Sequence, residues 1–409
     1  MRTVMNWEDF DQGHADLRRQ GNWRSFVPTT VGADGFLQRN GRQLLNVASN
    51  DYLGLRCAFD QQWLNAATAQ LAEVDECPMT GAGASRLVVG HDFFLEQLEA
   101  RFAAFKGKDR VLFFASGYAA NVGMLSSLIS RGDTVFADKY IHASLYDGIH
   151  LSRAKLHRYE HLALDQLDSL LKNIPTGRGR RWIITDAVFS MDGTIAPMKE
   201  LVDLAEQYGA QLIVDEAHAG GLFGTNGEGL VHELGLQKRV AVIMGTFSKA
   251  YGAYGAYVAA DGPVIDQMIQ QARSLIYSTG LPNVLWASVA LQWERVRTER
   301  WRAKQVMDVA GHFAMKLLSN GISLGQWGTS IHGLSHATTP IVPVLVGSNE
   351  QSLNFSDRLR ELGVSAIAIR PPTVPEGMAR IRFSWSAAHT LEQAADVASK
   401  VKQVFDEMN

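Results

Sequence analysis

The chain has 409 residues, with 46% apolar and 20% charged residues, which excludes a disordered or fibrous protein. Its 39 Lys and Arg stand against 42 Asp and Glu, and a formal net charge of −3 offers no electrostatic footprint for nucleic acid or a membrane surface. A chain of this length can hold one large domain with a sizeable core and a smaller one beside it.

The first segment, 1–55, reads as an arm followed by a short sheet element, with Pro and Gly between. Met1 to Gln20 is polar and lacks an apolar leader core, and no run of uninterrupted apolar residues is long enough to span a bilayer. Cys57 and Cys77 are too few for a disulfide framework and lack metal-ligand spacing, so no metal and a cytoplasmic location are expected. From about residue 90, helical and strand patterns alternate with short connections. Leu95, Leu98, Phe102 and Phe105 keep helical spacing, and Val111 to Ala115 is a short apolar run of the kind buried on both faces. Further strands are expected near 133–138, 155–160, 182–187, 211–215, 241–245 and 256–260, with amphipathic helices such as Met198 to Tyr208 between them. This pattern predicts an α/β domain over 56–290, a mainly parallel seven-stranded sheet with helices on both faces. A long helical run from Trp286 to about Asn320 marks a change of organisation. Beyond it come a strand near 340–346, a helix near 352–362, strands near 364–369 and 379–385, and a terminal helix from Thr390. Leu391, Val397, Val401, Val404 and Phe405 are expected to share its buried face, and 291–409 reads as a smaller α+β C-terminal domain.

In an open parallel sheet, ligands bind beyond the carboxyl ends of the strands. Several polar residues fall at those ends. Ser116-Gly117-Tyr118 follows one strand and opens a helix, whose free N–H groups and positive dipole end suit a phosphate; an ordinary N-cap is the competing reading. His142 opens the next helix, either as a first-turn histidine or as an imidazole lying on a ring. Ser190 sits in Val188-Phe-Ser-Met-Asp-Gly193, where a simple turn competes. Asp215 ends an apolar strand, where a carboxylate is costly unless a cation or donors compensate it, and His218 follows three residues later. Lys249, in Gly245-Thr-Phe-Ser-Lys-Ala-Tyr-Gly252, lies one strand further on. A lysine able to form a Schiff base and an upstream aspartate able to keep a ring nitrogen protonated are what pyridoxal phosphate (PLP) requires. The chain therefore reads as an enzyme.

Other nucleotide chemistry fits poorly. Asp215-Glu-Ala-His218 also suits a helicase, but the nearest Gly-Lys pair, Gly107-Lys108, is followed by Asp109 rather than by the Ser or Thr of a P-loop. Gly81-Ala-Gly-Ala-Ser-Arg86 lacks the third glycine of a dinucleotide fingerprint and does not follow a clear apolar strand.

Eight segments together resemble the α-oxoamine synthases, fold-type I PLP-dependent transferases that condense an amino acid with an acyl thioester and release CO2. They are Ser49 to Leu55, Gly83 to Arg86, Ser116 to Tyr118, His142 to Ser144, Val188 to Gly193, Asp215 to His218, Thr246 to Lys249 and Ile276 to Thr279. The resemblance implies that Lys249 holds PLP and moves protons, that Asp215 pairs with the pyridine nitrogen, and that His142 stacks on the ring. It further implies that Ser190 and His218 contact the phenolic oxygen, and that Gly117, Tyr118 and Thr246 serve the phosphate and ring. Ser278 and Thr279 would reach the phosphate of the partner subunit in a homodimer. Asn50 and Arg370 would bind the amino-acid carboxylate, and Arg24 the far end of the acyl chain. Ala368 to Pro375 with Ala379 to Arg382 is most similar to the members that join L-alanine to pimeloyl-CoA or pimeloyl-acyl carrier protein on the route to biotin. In one departure, the turn Gly252-Ala-Tyr-Gly-Ala-Tyr257 lacks the family's Gly-Gly ending, so Tyr254 and Ala256 are expected to narrow the site. The alternatives left are another α-oxoamine synthase and a non-catalytic subunit of the same fold.

Overall fold

After an N-terminal helix, Trp7–Arg19, the strands β1 (Thr30–Val31), β2 (Phe36–Arg39) and β3 (Arg42–Asn46) form an antiparallel ribbon in the computed structural model. The structure describes residues 7–32, 34–56, 60–71, 80–175, 179–328 and 338–408; Cys57 and Cys77 lie outside them. The apolar runs then become β4 (Arg110–Phe114), β5 (Thr134–Asp138), β6 (Lys155–Tyr159), β7 (Arg181–Asp186), β8 (Ala210–Asp215), β9 (Val242–Thr246) and β10 (Ala256–Ala260). They form one seven-stranded sheet in the order β4-β10-β9-β8-β7-β5-β6, parallel except at β10, which runs antiparallel to both neighbours.

Successive residues in these strands face opposite sides, and both sides are covered. Val111 and Phe113 join the core under the helices Phe93–Lys106 and Met198–Gln207, whereas Leu112 and Phe114 join the core under Gly117–Leu128 and Gly262–Gln271. Burial on both sides explains why these segments read as continuous apolar runs. The expected strands agree with the observed ones to within two residues.

The C-terminal part departs from expectation in three places. The helical run near 286–320 is two helices, Asn283–Thr298 and Trp301–Ser319. Arg300, at the break, donates to the carbonyls of Gly221, Leu222 and Gly224 at 2.7, 2.9 and 3.0 Å. The expected strand near 364–369 is divided between two sheets: β12 (Val364–Ser365) adds parallel to β3, and β13 (Ile367–Ile369) pairs with a later strand. With β11 (Ile341–Gly347) and β14 (Ala379–Ser384), β13 forms an antiparallel sheet ordered β11-β14-β13. In the terminal helix, Leu391–Met408, the residues Val397, Val401 and Val404 are buried and Phe405 packs on them, but Leu391 is 43% exposed. Six residues are about 600° of helix, which carries position 391 off the stripe begun at 397.

Close backbone approaches then seat the segments that carry the site. Gly252, at φ +61°, turns the chain after Lys249, and a Cβ there would lie 2.8 Å from Arg56 N. Ser384 N donates to Val47 O at 2.8 Å, which holds the segment after β3 against β14.

Candidate active site

A cavity of about 180 Å³ opens where β4, β5, β7, β8 and β9 end, and its walls include Gly117, His142, Asp186, Asp215, His218 and Lys249. Lys249 stands in the turn after β9, half-buried, with Nζ 2.7 Å from His218 Nε2. Burial pulls its ammonium pKa down to about 8; the Asp215 carboxylate opposes that and the Arg382 guanidinium reinforces it. A fraction of free amine near neutrality makes this lysine a usable nucleophile and proton carrier. His218 is buried, and burial first, then the cations of Lys249 and Arg382, push its pKa well below 6.5, so its ring is neutral.

The opposite wall is an ordered chain of polar groups. Asp215 accepts from Ala217 N and from Asn121 Nδ2, both at 2.8 Å, so its two oxygens are held in place. Asn121 Nδ2 also reaches Ser144 Oγ at 3.0 Å, and Ser144 Oγ lies 2.7 Å from His142 Nδ1. His142 caps the helix Ala143–Ser152, and burial lowers its pKa, leaving a neutral flat ring beside the cavity. Asp186 ends β7 directly beside Asp215 in the register. Burial, then the Asp215 carboxylate, raises its pKa well above the usual carboxylate range.

The structure brings together Lys249, Asp215, His142, His218, Gly117, Tyr118 and Thr246 around this cavity. Gly117 is the first residue of its helix, capped by Ser116, whose side chain accepts from Ala119 N at 3.2 Å. A Cβ at 117 would come within 3.2 Å of Met244 Cε, so glycine lets the helix start approach the sheet. Tyr118 is 54% exposed, with its hydroxyl donating to Asp147 at 2.6 Å. The Thr246 hydroxyl donates to Gly255 O at 2.9 Å and so shapes the lysine turn, and Ser248 Oγ, 2.8 Å from it, is a further exposed hydroxyl on the cavity wall. Ser190 is not part of the cavity wall; its carbonyl accepts from Arg382 Nε at 2.5 Å.

Other expected residues are placed elsewhere. Arg370 donates to Gly21 O in the N-terminal arm, and burial and then the Arg24 charge lower its pKa, so Arg24 and Arg370 neighbour each other. It is Arg382, not Arg370, that meets Asn50, with Nη2 donating to Asn50 Oδ1 at 3.0 Å and to Tyr52 Oη at 3.2 Å. Arg382 is 4% exposed, and among the described residues no carboxylate pairs with it, whereas Arg380 two positions earlier pairs with Asp192. Two arginines, Arg380 and Arg382, in a strand buried along its whole length were the signal that could have drawn attention to it. Ser278 and Thr279 are exposed and lie off the cavity, with Thr279 bridging to Ser85. Tyr254 and Ala256 do not narrow the site: Tyr254 is 49% exposed, and Ala256 is buried in β10 between Phe114 and Thr246.

Residues 42–401 match the family described as aminotransferase class I and II. A protein of Geobacillus kaustophilus, provisionally named an 8-amino-7-oxononanoate synthase, is 48% identical over 360 residues, covering 88% of each chain. The chain belongs to the α-oxoamine synthases of that family. Its fold is that of a serine palmitoyltransferase from S. paucimobilis bound to a PLP–myriocin adduct (TM-score 0.85, 26% identity, 98% of each chain). An 8-amino-7-oxononanoate synthase from Francisella tularensis superposes with a TM-score of 0.73 at 27% identity, over 89% of this chain and 98% of that one. These relations make the α-oxoamine synthase fold-type I and PLP-dependent, an acyltransferase by class. The cavity fits that cofactor by its donor set: an amine at Lys249 with a lowered pKa, a fixed carboxylate at Asp215, and a helix start at Gly117 for an anion. Among the described residues there is no group of three or more side chains that could hold a metal ion, and no helix long and apolar enough to cross a membrane.

Proposed function

We propose that the chain condenses L-alanine with a pimeloyl thioester, carried by coenzyme A or an acyl carrier protein, to give 8-amino-7-oxononanoate, CO2 and the free thiol. The observation that carries the reading is Arg382, a buried guanidinium hydrogen-bonded to Asn50, near Lys249 and with no carboxylate partner among the described residues; the provisional names of relatives such as the Geobacillus protein support the choice of substrates. PLP, when bound, supplies an electron sink for negative charge at the amino-acid α-carbon. Lys249 is its point of attachment and carries the α-proton on Nζ. Asp215, fixed at both oxygens, holds an anion opposite a ring N–H. His142 offers its neutral face to the ring, and His218 with Ser190 serves the phenolic oxygen. Gly117, Tyr118, Thr246 and Ser248, all on the cavity wall, would serve the phosphate end. Asn50 and Arg382 hold the carboxylate of the amino acid, with a planar fork matched to two oxygens. Arg24 on the arm and its neighbour Arg370 suit the distal carboxylate of a dicarboxylic acyl chain. Ser278 and Thr279 complete the partner's site in a homodimer, which we place in the cytoplasm.

The higher TM-score of the serine palmitoyltransferase favours one other reading, a member using serine and a longer acyl chain. Mass spectrometry of the product separates the two. L-Alanine with pimeloyl-CoA, or with pimeloyl-acyl carrier protein, should yield 8-amino-7-oxononanoate; product only from serine or glycine, or only from a long-chain thioester, would overturn the proposal.

A further inference from the structure

The hydrogen-bond chain behind Lys249 is long enough to locate its protons. Arg382 Nη2 lies 3.2 Å from Tyr52 Oη, Tyr52 Oη lies 2.6 Å from His218 Nδ1, and His218 Nε2 lies 2.7 Å from Lys249 Nζ. Tyr52 is fully buried, and its oxygen must accept from Arg382, because a guanidinium has no lone pair to offer. Its single hydrogen then has two acceptors in range, Asn50 Oδ1 at 3.2 Å and His218 Nδ1 at 2.6 Å. Hydroxyl donors make the shorter bonds, typically about 2.7 Å, and the Asn50 oxygen already receives Arg382 Nη2. The hydrogen goes to His218 Nδ1. A neutral imidazole that accepts at one nitrogen donates at the other.

We propose that Tyr52, backed by Arg382, fixes His218 as the Nε2–H tautomer, so that His218 presents a donor to the pocket and to the free-amine form of Lys249. Tyr52 is thus a positioning residue acting through His218. The other groups facing this pair agree in sign or are outweighed. Burial, then the cations of Lys249 and Arg382, disfavour an imidazolium at His218; Asp215 and Asp186 favour an ammonium at Lys249, while burial and Arg382 oppose them and bring its pKa down to about 8. For the cofactor, the consequence is that His218 can give a hydrogen bond to an oxyanion at this position and cannot accept one from a hydroxyl. The inference concerns proton positions within this chain and uses the proposed function only for that consequence.

The test is nitrogen NMR on the full-length chain with 15N-labelled histidine, with and without PLP, between about pH 7 and 9. The His218 signals are identified by their loss in His218→Asn. The wild-type chain should show Nε2 protonated and Nδ1 bare throughout that range, and Tyr52→Phe should lose this single-tautomer pattern. In the PLP-free form, Tyr52→Phe should also shift upward the pH at which Lys249 becomes reactive toward trinitrobenzenesulfonate. A wild-type spectrum with Nδ1 protonated, or with an imidazolium, overturns the proposal, and this holds even where Tyr52→Phe fails to fold. A folded Tyr52→Phe chain that keeps the Nε2–H pattern overturns it as well. Failure of the substrate assay alone leaves these spectra unchanged, so the two readings fail separately.

Discussion

Asp215 owes its place opposite Lys249 to donors at both oxygens, and its charge matters more than its shape. Asp215→Asn should retain PLP yet turn over roughly a thousandfold more slowly, because an amide cannot stabilise a ring N–H cation. Steady-state turnover beside the visible absorbance of the bound cofactor checks this; near-normal turnover would remove Asp215 from the chemistry. Lys249, Asp215 and His142 were legible in the sequence because each follows an apolar strand, where a polar residue is conspicuous. Asp186 carries the same signal at the end of β7. Tyr52 and Arg382 were not legible as partners, because their contacts span 166 residues to His218 and 332 to Asn50. No local spacing encodes such meetings. Asn121, inside a helix, betrays nothing until the helix is set against Asp215.

At the scale of elements, Asp215's neighbour Glu216 anchors the strand end to a helix. Lys106 Nζ, at the end of Phe93–Lys106, lies 2.6 Å from Glu216 Oε2 and also donates to Glu228 O, with side chains only 1% and 0% exposed. Removing the cation leaves a buried carboxylate with the Val231 N–H, at 2.7 Å from Oε1, but without its counter-charge. Lys106→Met should therefore cost about 3–5 kcal/mol in urea unfolding, and adding Glu216→Gln should recover part of that loss. A single-variant loss below about 1 kcal/mol would show that the pair carries little of the local order. The seven strands of the large sheet were legible because both faces are buried. The division of 364–369 between β12 and β13 was not, since a one-residue step at Ala366 changes partner without changing the apolar pattern.

Across the whole molecule, His389 joins the first segment to the last. It is 1% exposed, its Nδ1 accepts from Ser386 N at 3.1 Å, and its Nε2 faces Gly35 O at 3.4 Å. Burial lowers its pKa from 6.5 to about 4. A histidine whose folded pKa is depressed favours the folded state above its unfolded pKa, so this contribution fades as the pH falls from about 6.5 to about 4. The full loss is roughly 3 kcal/mol, and His389→Gln should flatten that part of the stability profile. Chemical unfolding at several pH values measures it; an unchanged slope in the variant would assign the acid sensitivity to other groups. The proposed homodimer makes its own prediction. A Lys249→Ala chain mixed with a chain altered at both Ser278 and Thr279 should regain activity through one intact site per exchanged heterodimer. Heterodimers seen by native mass spectrometry without recovered activity would mean that each site is built within one chain.

The proposed chemistry converges on one nitrogen atom, Lys249 Nζ. Borohydride reduction of the purified enzyme, followed by peptide mapping, should place a phosphopyridoxyl group on the peptide that contains Lys249, and Lys249→Ala should abolish it. A reduced adduct on a peptide lacking residue 249, persisting in the Lys249→Ala chain, would contradict the assignment of the site.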